Sequence, residues 1–348
     1  MAEKRCGSQG TSHHRADGGF RNPWPGARPH GFGDFLKWVI RRPPRSAQSA
    51  KSQAKSLVRV SPNFPTPRAA NDVLIITWVG HTSFLVQLGG KNILLDPVWS
   101  DRASPVPFAG PRRWVPPAIP FDALPPIDLV VLSHDHYDHL DLRTVRRLIR
   151  TAPQAQWIAP LKVGAWLRKR GANVVAELDW WQSTTLDNLT ITCTPAQHFS
   201  GRSLTNRDGT LWCGWTLRSA THALLFAGDT GRHPEFELIT RQLGPFDAAI
   251  LPIGAYEPRW FMQPVHMAPE ETVSAYTDIL TGNANARPCT FVASHWGTFK
   301  LTDEPLDEPP TLTRAAWTTL GLPTADLWIP HHGETRTWQP RDMRAKGA

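Results

Sequence analysis

One stretch of this sequence constrains its fold and its chemistry more than any other. Residues 127–141 read IDLVVLSHDHYDHLD, in which an apolar run gives way to three histidines and two aspartates within residues 134–139. The run from Leu129 to Leu132 predicts a buried strand, and the helical periodicity of Leu142 to Ile149 predicts a helix after it. A helix cap needs only one polar residue at such a junction. So dense a group of imidazoles and carboxylates is typical of zinc ligands, and two groups of ligands suggest two ions.

The composition is that of a globular protein from a reducing environment. The 348 residues are 41% hydrophobic and 20% charged, which allows one large domain or two small ones. The cysteines form no CxxC pair, which argues against a disulfide framework and a thiolate metal site; they are Cys6, Cys193, Cys213 and Cys289. The sequence has no run of 18 apolar residues and no apolar signal segment, so we expect a cytoplasmic protein without a transmembrane helix.

The net charge of +8 is concentrated in an N-terminal segment. Residues 1–70 hold 13 Lys and Arg against 3 Asp and Glu, and the rest of the chain holds 25 against 27. The segment is also rich in Pro, Gly and Ser, which predicts an arm without a core of its own. Its residues 33–42, GDFLKWVIRR, form an apolar patch with basic flanks. This patch could lie in the headgroup region of an anionic membrane, or it could pack Phe35, Trp38 and Ile40 onto the body.

The remainder of the chain predicts an α/β fold. We divide the sequence into the basic arm of residues 1–70, a folded domain of residues 71–340 and a flexible tail of residues 341–348. Strand runs mixed with helical stretches, and no internal repeat, are typical of an α/β sandwich. The predicted strands are residues 73–79, 83–88, 92–95, 129–132, 189–194, 223–227, 248–252 and 290–293, the predicted helices are 142–149 and 269–280, and residues 105–126 form a Pro-rich loop.

Three later strands each end in an isolated metal-binding residue. These residues are His198, Asp229 and His295. Each is weak evidence alone, because a single polar residue at a strand end usually forms an ordinary hydrogen bond. Together they place ligands on one rim of the predicted sandwich, where functional sites are common. A further strand, residues 249–254, runs into Tyr256 and carries no obvious ligand.

This pattern resembles the metallo-β-lactamase superfamily of binuclear zinc hydrolases, and within it the N-acylphosphatidylethanolamine-hydrolysing phospholipase D family. The resemblance covers nearly all of residues 70–336 in order, and it implies a four-layer αββα sandwich. GAYEPRWFM and HMAPEE are the segments most specific for the phospholipase branch. The other segments that carry it are TWVGHTSFLVQLGG, LLDPVWSDRASPVPFAGPRR, LPPIDLVVLSHDHYDHLD, ELDWWQ, FAGDTG, SHWGTF and HHGETR.

The resemblance implies two Zn²⁺ per chain and assigns a ligand set. The first ion would be held by His134, His136 and His198. The second would be held by Asp138, His139 and His295. Asp229 would bridge both ions, so no ligand of the family pattern is missing.

Other residues receive expected roles around these ions. Asp138 and His266 are the catalytic candidates, with His266 either donating to a phosphoryl oxygen or the leaving group or serving only as a supporting core histidine. His81 and Asp96 would orient ligands from behind. An acyl groove could be lined by Tyr256, Trp260, Phe261 and Met262, and Trp180 or Trp181 could lie near the site.

The implied activity is hydrolysis of a phospholipid phosphodiester by a metal-bound hydroxide, releasing N-acylethanolamine and phosphatidic acid. The substrate would lie at a membrane surface, which suggests a peripheral position at the inner membrane face, and family members also suggest a homodimer. Two alternatives remain open. One is a metal-dependent hydrolase of a small soluble substrate, similar to the sugar-phosphate lactonases. The other is a nuclease, which the near-neutral charge outside the arm disfavours, so we expect no nucleic-acid partner.

Overall fold

The structure, a computed structural model, describes residues 12–42, 47–203, 205–283 and 288–340. Within these ranges the strands form two sheets, with the orders β14-β1-β2-β3-β4-β5-β6 and β13-β12-β11-β10-β9-β8-β7. The strands are β1 Leu74–Gly80, β2 Ser83–Leu88, β3 Lys91–Leu95, β4 Leu129–Val131, β5 Gln156–Pro160, β6 Asn173–Leu178, β7 Ser183–Leu186, β8 Leu189–Thr194, β9 Gly214–Arg218, β10 Ala223–Phe226, β11 Ala248–Pro252, β12 Thr290–Ser294, β13 Leu327–Trp328 and β14 Thr335–Trp338. The helices are α1 Phe32–Arg41, α2 Ala47–Ser56, α3 Leu142–Thr151, α4 Val163–Arg168, α5 Phe236–Leu243, α6 Arg259–Met262, α7 Pro269–Gly282 and α8 Pro309–Thr319.

The inner strands of the first sheet are mostly apolar, as expected for strands with both faces covered. Every residue of β1 and β2 is buried. One face contributes to the core shared with the second sheet, through residues such as Trp78, Phe84 and Val131. The other face packs under α3 and α4, whose inward residues include Val145, Leu148, Val163 and Leu167.

The second sheet is covered on its outer face by α5, α7 and α8. The three helices also pack against one another, and α7 contacts β11 directly. The order of layers is therefore helices, sheet, sheet, helices, which confirms the predicted four-layer αββα sandwich. The predicted strands and helices are all present, with bounds that differ by a few residues at their ends.

Strand direction decides where the functional residues meet. β3, β4 and β5 run parallel in the first sheet, and β10, β11 and β12 run parallel in the second. The chain therefore leaves each of these strands at the same edge of its sheet. The polar residues that follow β3, β4, β8, β10 and β12 are gathered on one rim of the sandwich.

The N-terminal segment lies against this body. Phe20 is buried in the core between the sheets, and the Trp38 indole Nε1 donates to Asp303 Oδ2 over 2.6 Å. Phe35 and Ile40, by contrast, are 44% and 73% exposed. The packing interpretation of the basic arm therefore holds for Trp38 and is wrong for Phe35 and Ile40.

Cys193, Cys213 and Cys289 are buried free thiols, as the sequence predicts, and Cys6 lies outside the described residues. The predicted tail, residues 341–348, also lies outside them. No helix in the described part of the chain has the length and apolarity needed to cross a bilayer.

Candidate metal centre

The rim gathers all seven predicted metal ligands. Four of them follow β4 directly, and three follow strands of the second sheet. They are His134, His136, Asp138 and His139 after β4, His198 after β8, Asp229 after β10 and His295 after β12. Each sheet thus supplies about half of the site.

The first ligand group consists of three imidazoles. His134 Nε2 lies 2.8 Å from His136 Nδ1, which lies 3.1 Å from His198 Nε2. Burial lowers the pKa of His136 to about 4 and that of His198 to about 3. The rings are therefore neutral at pH 7, the form of histidine that binds a metal.

The second ligand group surrounds the carboxylate of Asp138. Its Oδ2 lies 3.5 Å from His139 Nε2 and 3.4 Å from His295 Nε2. Burial raises the pKa of Asp138, but the neighbouring His139 and His295 outweigh burial and hold that pKa well below its ordinary value. The group is therefore an ionised carboxylate flanked by two imidazoles.

Asp229 lies between the two groups. Its Oδ2 is 3.0 Å from both His139 Nε2 and His295 Nε2 in the second group. The same oxygen is 3.8 Å from His198 Nε2 and 4.0 Å from His134 Nε2 in the first. This position is the one that a bridging ligand requires.

The buried atoms of the rim fit metal ions. Among the described residues, His139 Nε2, His295 Nε2 and Asp229 Oδ1 are buried without a hydrogen-bond partner, which is rare for polar atoms in a folded protein. Burial lowers the pKa of His295, but Asp229 and Asp138 together raise it to about 9. This surplus of negative charge is what divalent cations would neutralise.

Asp96 fixes the orientation of His139. Its Oδ2 accepts a hydrogen bond from His139 Nδ1 over 2.7 Å, and its Oδ1 accepts from the Ser133 backbone N–H over 2.7 Å. Because the proton is held on Nδ1, the Nε2 atom of His139 is left free toward the centre of the rim. Asp96 therefore has the contact that its predicted supporting role needs.

His81 supports the second group in a similar way. It lies in the tight turn between β1 and β2 with φ 58, and its backbone N–H donates to Thr298 Oγ1 over 2.8 Å. Its Nε2 donates to Asp138 Oδ2 over 2.9 Å. This bond is the contact that the predicted supporting role of His81 needs; the role itself stays a prediction.

His266 lies beside both groups. Its ring centroid is 5.0 Å from that of His198 and 5.2 Å from that of His295. Burial lowers its pKa well below the ordinary value, so the ring is neutral. Its Nδ1 is buried without a hydrogen-bond partner among the described residues.

Asn22 is a functional residue that the sequence reasoning missed. Its Nδ2 donates to the His198 carbonyl over 2.8 Å, and its Oδ1 accepts from the His198 backbone N–H over 3.2 Å. The same Oδ1 accepts from Trp212 Nε1 over 3.1 Å. Asn22 thus holds a metal ligand from the N-terminal segment, 176 residues away in sequence.

Arg259 and Glu271 were also missed. Arg259 Nη1 donates to the His266 carbonyl over 3.1 Å, and Nη2 donates to Glu271 Oε2 over 2.7 Å. Glu271 also accepts from the Ala268 backbone N–H at the start of α7. These bonds fix the backbone of His266 against α7.

The four residues predicted to line an acyl groove occupy different environments. Tyr256 is buried and its hydroxyl donates to Glu308 Oε1 over 2.5 Å, while Met262, the last residue of α6, is also buried. Phe261 stacks on Trp38, with ring centroids 5.2 Å apart. Trp260 is half exposed. Their contact with substrate stays a prediction.

Trp180 and Trp181 also differ from each other in their burial. Trp180 is buried and its Nε1 donates to the Trp212 carbonyl over 2.8 Å. Trp181 is only partly buried and packs against the core. Trp180 is therefore connected to the rim through Trp212 and Asn22.

A basic cleft adjoins the rim on the side of the N-terminal segment. Its volume is about 1020 Å³, and Asn22 and Trp212 form part of its wall. The cleft carries four arginines against two aspartates: Arg15, Arg21, Arg28 and Arg207, with Asp34 and Asp208. The Arg207 guanidinium lies 5.2 Å from the centroid of the Phe199 ring, which packs against His136 and His198.

Comparison with known proteins agrees with this geometry. The family model described as "Beta-lactamase superfamily domain" matches residues 91–296. An uncharacterized protein of Mycobacterium tuberculosis is 44% identical over 263 residues, which are 75% of this chain and 68% of that protein. An "N-acyl-phosphatidylethanolamine-hydrolyzing phospholipase D 1" of Caenorhabditis elegans is 42% identical over 238 residues, which are 66% of this chain and 65% of that one.

A solved structure shows the same fold. The isothiocyanate hydrolase from Delia radicum gut bacteria superposes with a TM-score of 0.60 at 21% identity, over 77% of this chain and 100% of that one. The family match covers more than half of the chain. The chain therefore belongs to the metallo-β-lactamase superfamily of metal-dependent hydrolases, in the branch similar to N-acyl-phosphatidylethanolamine-hydrolyzing phospholipases D.

Proposed function

We propose that this chain is a binuclear zinc phosphodiesterase that cleaves N-acyl-phosphatidylethanolamine at a membrane surface, releasing N-acylethanolamine and phosphatidic acid. The observation that carries the proposal is the position of Asp229 between two complete ligand groups. A pair of ions sharing one carboxylate suits a phosphodiester, whose two non-bridging oxygens need two positive partners. The name of the Caenorhabditis elegans relative supports this substrate class, although the chain spans only 65% of that protein.

The residues of the rim divide the work of such a reaction. His134, His136 and His198 would hold one ion, and Asp138, His139 and His295 the other. When bound, the ions neutralise phosphate charge and make water acidic enough to react near neutral pH. Asp96, His81 and Asn22 keep the ligands in place.

His266 is our candidate for the group that contacts the substrate phosphate or the leaving oxygen. It is neutral because burial lowers its pKa, so it can present an N–H without adding charge to the rim. The bond from Arg259 to its carbonyl fixes its backbone. A fixed neutral donor beside the ligands can stabilise charge that develops on an oxygen during the reaction.

The basic cleft supports an anionic lipid as substrate. Four arginines line the cleft, and its volume is large enough for a phospholipid headgroup and part of its chains. Arginine is well suited to phosphate because its planar guanidinium donates two parallel hydrogen bonds. The cleft shares Asn22 with the metal centre, so a lipid bound there would have its headgroup close to His198.

Helix α1 supports action at a membrane. It turns Phe32, Phe35, Leu36, Val39 and Ile40 toward solvent, each at least 44% exposed. Trp260 of α6 extends this apolar face, and Lys37 Nζ lies 5.2 Å from the centroid of its ring. An apolar face with basic neighbours is typical of helices that lie in the interface of an anionic membrane. Such docking would place the chain peripherally on a membrane.

The test is to identify which product receives the oxygen of solvent water. Purified zinc-loaded enzyme, in excess over substrate, is mixed with N-acyl-phosphatidylethanolamine vesicles in oxygen-18 water. The masses of both products are then measured by mass spectrometry after a single turnover. We expect the label in phosphatidic acid, because water attacks phosphorus.

Parallel reactions with phosphatidylcholine, bis-(p-nitrophenyl) phosphate and lactones define the substrate class. Label in a released fatty acid would contradict the proposal, and so would label in a ring-opened sugar acid. Turnover of lactones without turnover of any phosphodiester would favour a small soluble substrate instead. Enzyme treated with a chelator serves as the control.

A further inference from the structure

A second cluster of metal-binding side chains lies outside the rim. His13 Nε2 lies 2.7 Å from Asp179 Oδ1, and His14 Nε2 lies 2.7 Å from Asp179 Oδ2. The ligand atoms of the three residues all lie within 4.8 Å of one another. We propose that His13, His14 and Asp179 form a third metal site, for a divalent ion of the zinc class, which fastens the N-terminal segment to the body.

The geometry of this cluster fits such an ion. Ligands at about 2.0–2.1 Å from a tetrahedral zinc lie about 3.3 Å apart, so the two imidazoles need to separate from the carboxylate by only about 0.6 Å. The rim shows the same close approach, with 2.8 Å between His134 Nε2 and His136 Nδ1. Two imidazoles and one carboxylate are also a common ligand set for zinc.

The side chains are held in place by their surroundings. The His13 ring stacks on Trp180, with centroids 4.2 Å apart and planes at 16°. The His14 ring meets Phe20 edge to face at 5.1 Å. Asp179 Oδ1 also accepts from the Trp180 backbone N–H over 2.8 Å. An arrangement that is fixed before binding lowers the conformational entropy that binding costs.

One side of the cluster is open to solvent. The His14 side chain is 36% exposed, whereas that of His13 is 9% exposed. An ion can therefore reach the cluster, and with three protein ligands it would complete its coordination with water. A site of this kind exchanges its ion with solvent more readily than a closed site with four protein ligands.

The site would couple the N-terminal segment to the metal centre. His14 and Phe20 pair across a short hairpin, and the chain then reaches Asn22, which holds both backbone groups of His198. On the other side, Trp180 bonds the Trp212 carbonyl and Trp212 bonds Asn22. Fastening His13 and His14 to Asp179 therefore stabilises the segment that positions His198.

The first experiment counts ions. Tag-free protein is stripped with a chelator, titrated with Zn²⁺, freed of unbound ion and measured by elemental analysis. We expect three equivalents for the unaltered chain and two for His14→Ala and for Asp179→Asn. His30→Ala is the matched control, because His30 lies in the same segment outside the cluster, and it should keep three.

The second experiment measures whether the ion holds the segment. Trypsin cleaves after Arg15, whose side chain is 41% exposed, only when the hairpin opens. At a Zn²⁺ concentration 100 times the dissociation constant, this cleavage should slow by up to about 100-fold in the unaltered chain. In His14→Ala, zinc should leave the rate unchanged.

Two results would overturn the inference. One is two equivalents of zinc in the unaltered chain with no loss in either variant. The other is equal protection by zinc of the unaltered chain and His14→Ala. Because His14 is partly exposed, its replacement leaves the core intact, so the readout stands even if Asp179→Asn does not fold. The expected total of three rests on the two rim ions of the proposed function, whereas the loss of one equivalent in the variants and the protection of Arg15 by zinc do not depend on that function or on catalysis.

Discussion

The ligand rim and the N-terminal segment both determine the position of His198, but they do so in different ways. The rim is made of the residues that follow strand ends, and it buries most of its ligands, with His136 only partly buried. The segment crosses the outside of the body, and it reaches His198 through one side chain, Asn22. The difference teaches that ligand identity is encoded locally, whereas ligand position also depends on contacts from distant parts of the chain.

The two regions also differ in what they leave exposed. The rim turns polar atoms inward, and some of these lack a hydrogen-bond partner among the described residues. The segment turns the apolar side chains of α1 outward. Each region thus carries groups that its own fold does not satisfy. The rim fits cations, and the exposed apolar face of α1 is the feature on which the proposed membrane docking rests.

The largest effect is expected from Asp229→Asn. One carboxylate oxygen of Asp229 faces both ligand groups. Removing the charge of this carboxylate should therefore lower the affinity for both ions together. Turnover should fall by more than about 10³-fold, and elemental analysis should show fewer than two ions at the rim. A variant that keeps one ion at full occupancy and loses only the other would show that the rim is two separate sites.

A smaller effect is expected from Asp96→Asn. The change removes the negative charge that holds the proton on His139 Nδ1 and leaves the seven ligands intact. Affinity for the second ion should fall by about 10–100-fold, measured by competition with a zinc-binding dye. Asp122→Asn is the control, since the Asp122 side chain is 85% exposed, and it should bind zinc normally. Equal losses in both variants would argue against a specific role for Asp96.

The proposed role of the N-terminal segment in membrane docking is tested with Ile40→Asp. Burying an isoleucine side chain contributes about 1.5–3 kcal/mol, so the charged replacement should reduce turnover on anionic vesicles by at least about 10-fold. Turnover of bis-(p-nitrophenyl) phosphate should stay the same. The matched control is Leu320→Asp, because Leu320 is 51% exposed at the end of α8. A similar loss on vesicles for both variants would mean that α1 has no special part in docking.

The smallest effect is expected from Asn22→Ala. Asn22 is the residue that connects the N-terminal segment to the rim. The variant removes the hydrogen bonds to both backbone groups of His198, and we expect a net cost of about 1–1.4 kcal/mol. Affinity for the ion held by His134, His136 and His198 should fall by about 5–10-fold, while the other ion is retained. Asn63→Ala, at an exposed position, should change neither affinity. An unchanged titration for Asn22→Ala would show that the rim positions His198 without help.

The sequence predicts the α/β strands and the ligand cluster of residues 134–139 because both depend on neighbouring residues, whereas the full ligand set and the four layers came from the family resemblance. Apolar runs such as Val73 to Val79 become buried strands, and the cluster of residues 134–139 needs no distant partner to be recognised. The bridging place of Asp229 was available only through the family resemblance. The structure supports it with distances to both groups.

Other features depend on contacts that a linear pattern does not contain. Nothing near Asn22 in the sequence points to His198, and nothing near Arg259 points to the carbonyl of His266. The apolar patch of residues 33–42 left two interpretations open because the direction of each side chain is set by what the helix packs on. Once Trp38 is fixed by Asp303 and Phe261, Phe35 and Ile40 are left in solvent.

The division of the ligands between two sheets ties metal loading to the mechanical integrity of the sandwich. Four ligands follow a strand of the first sheet, and three follow strands of the second, so the site exists only while the two sheets are docked. Because the ions bind only the docked arrangement, each bound ion in turn stabilises the docking of the two sheets. A cavity opened deep in that interface, for example around Trp78 or Phe226, would therefore lower the affinity for the ions without changing a ligand. Metal affinity at the rim therefore also reports how well the two sheets are packed together.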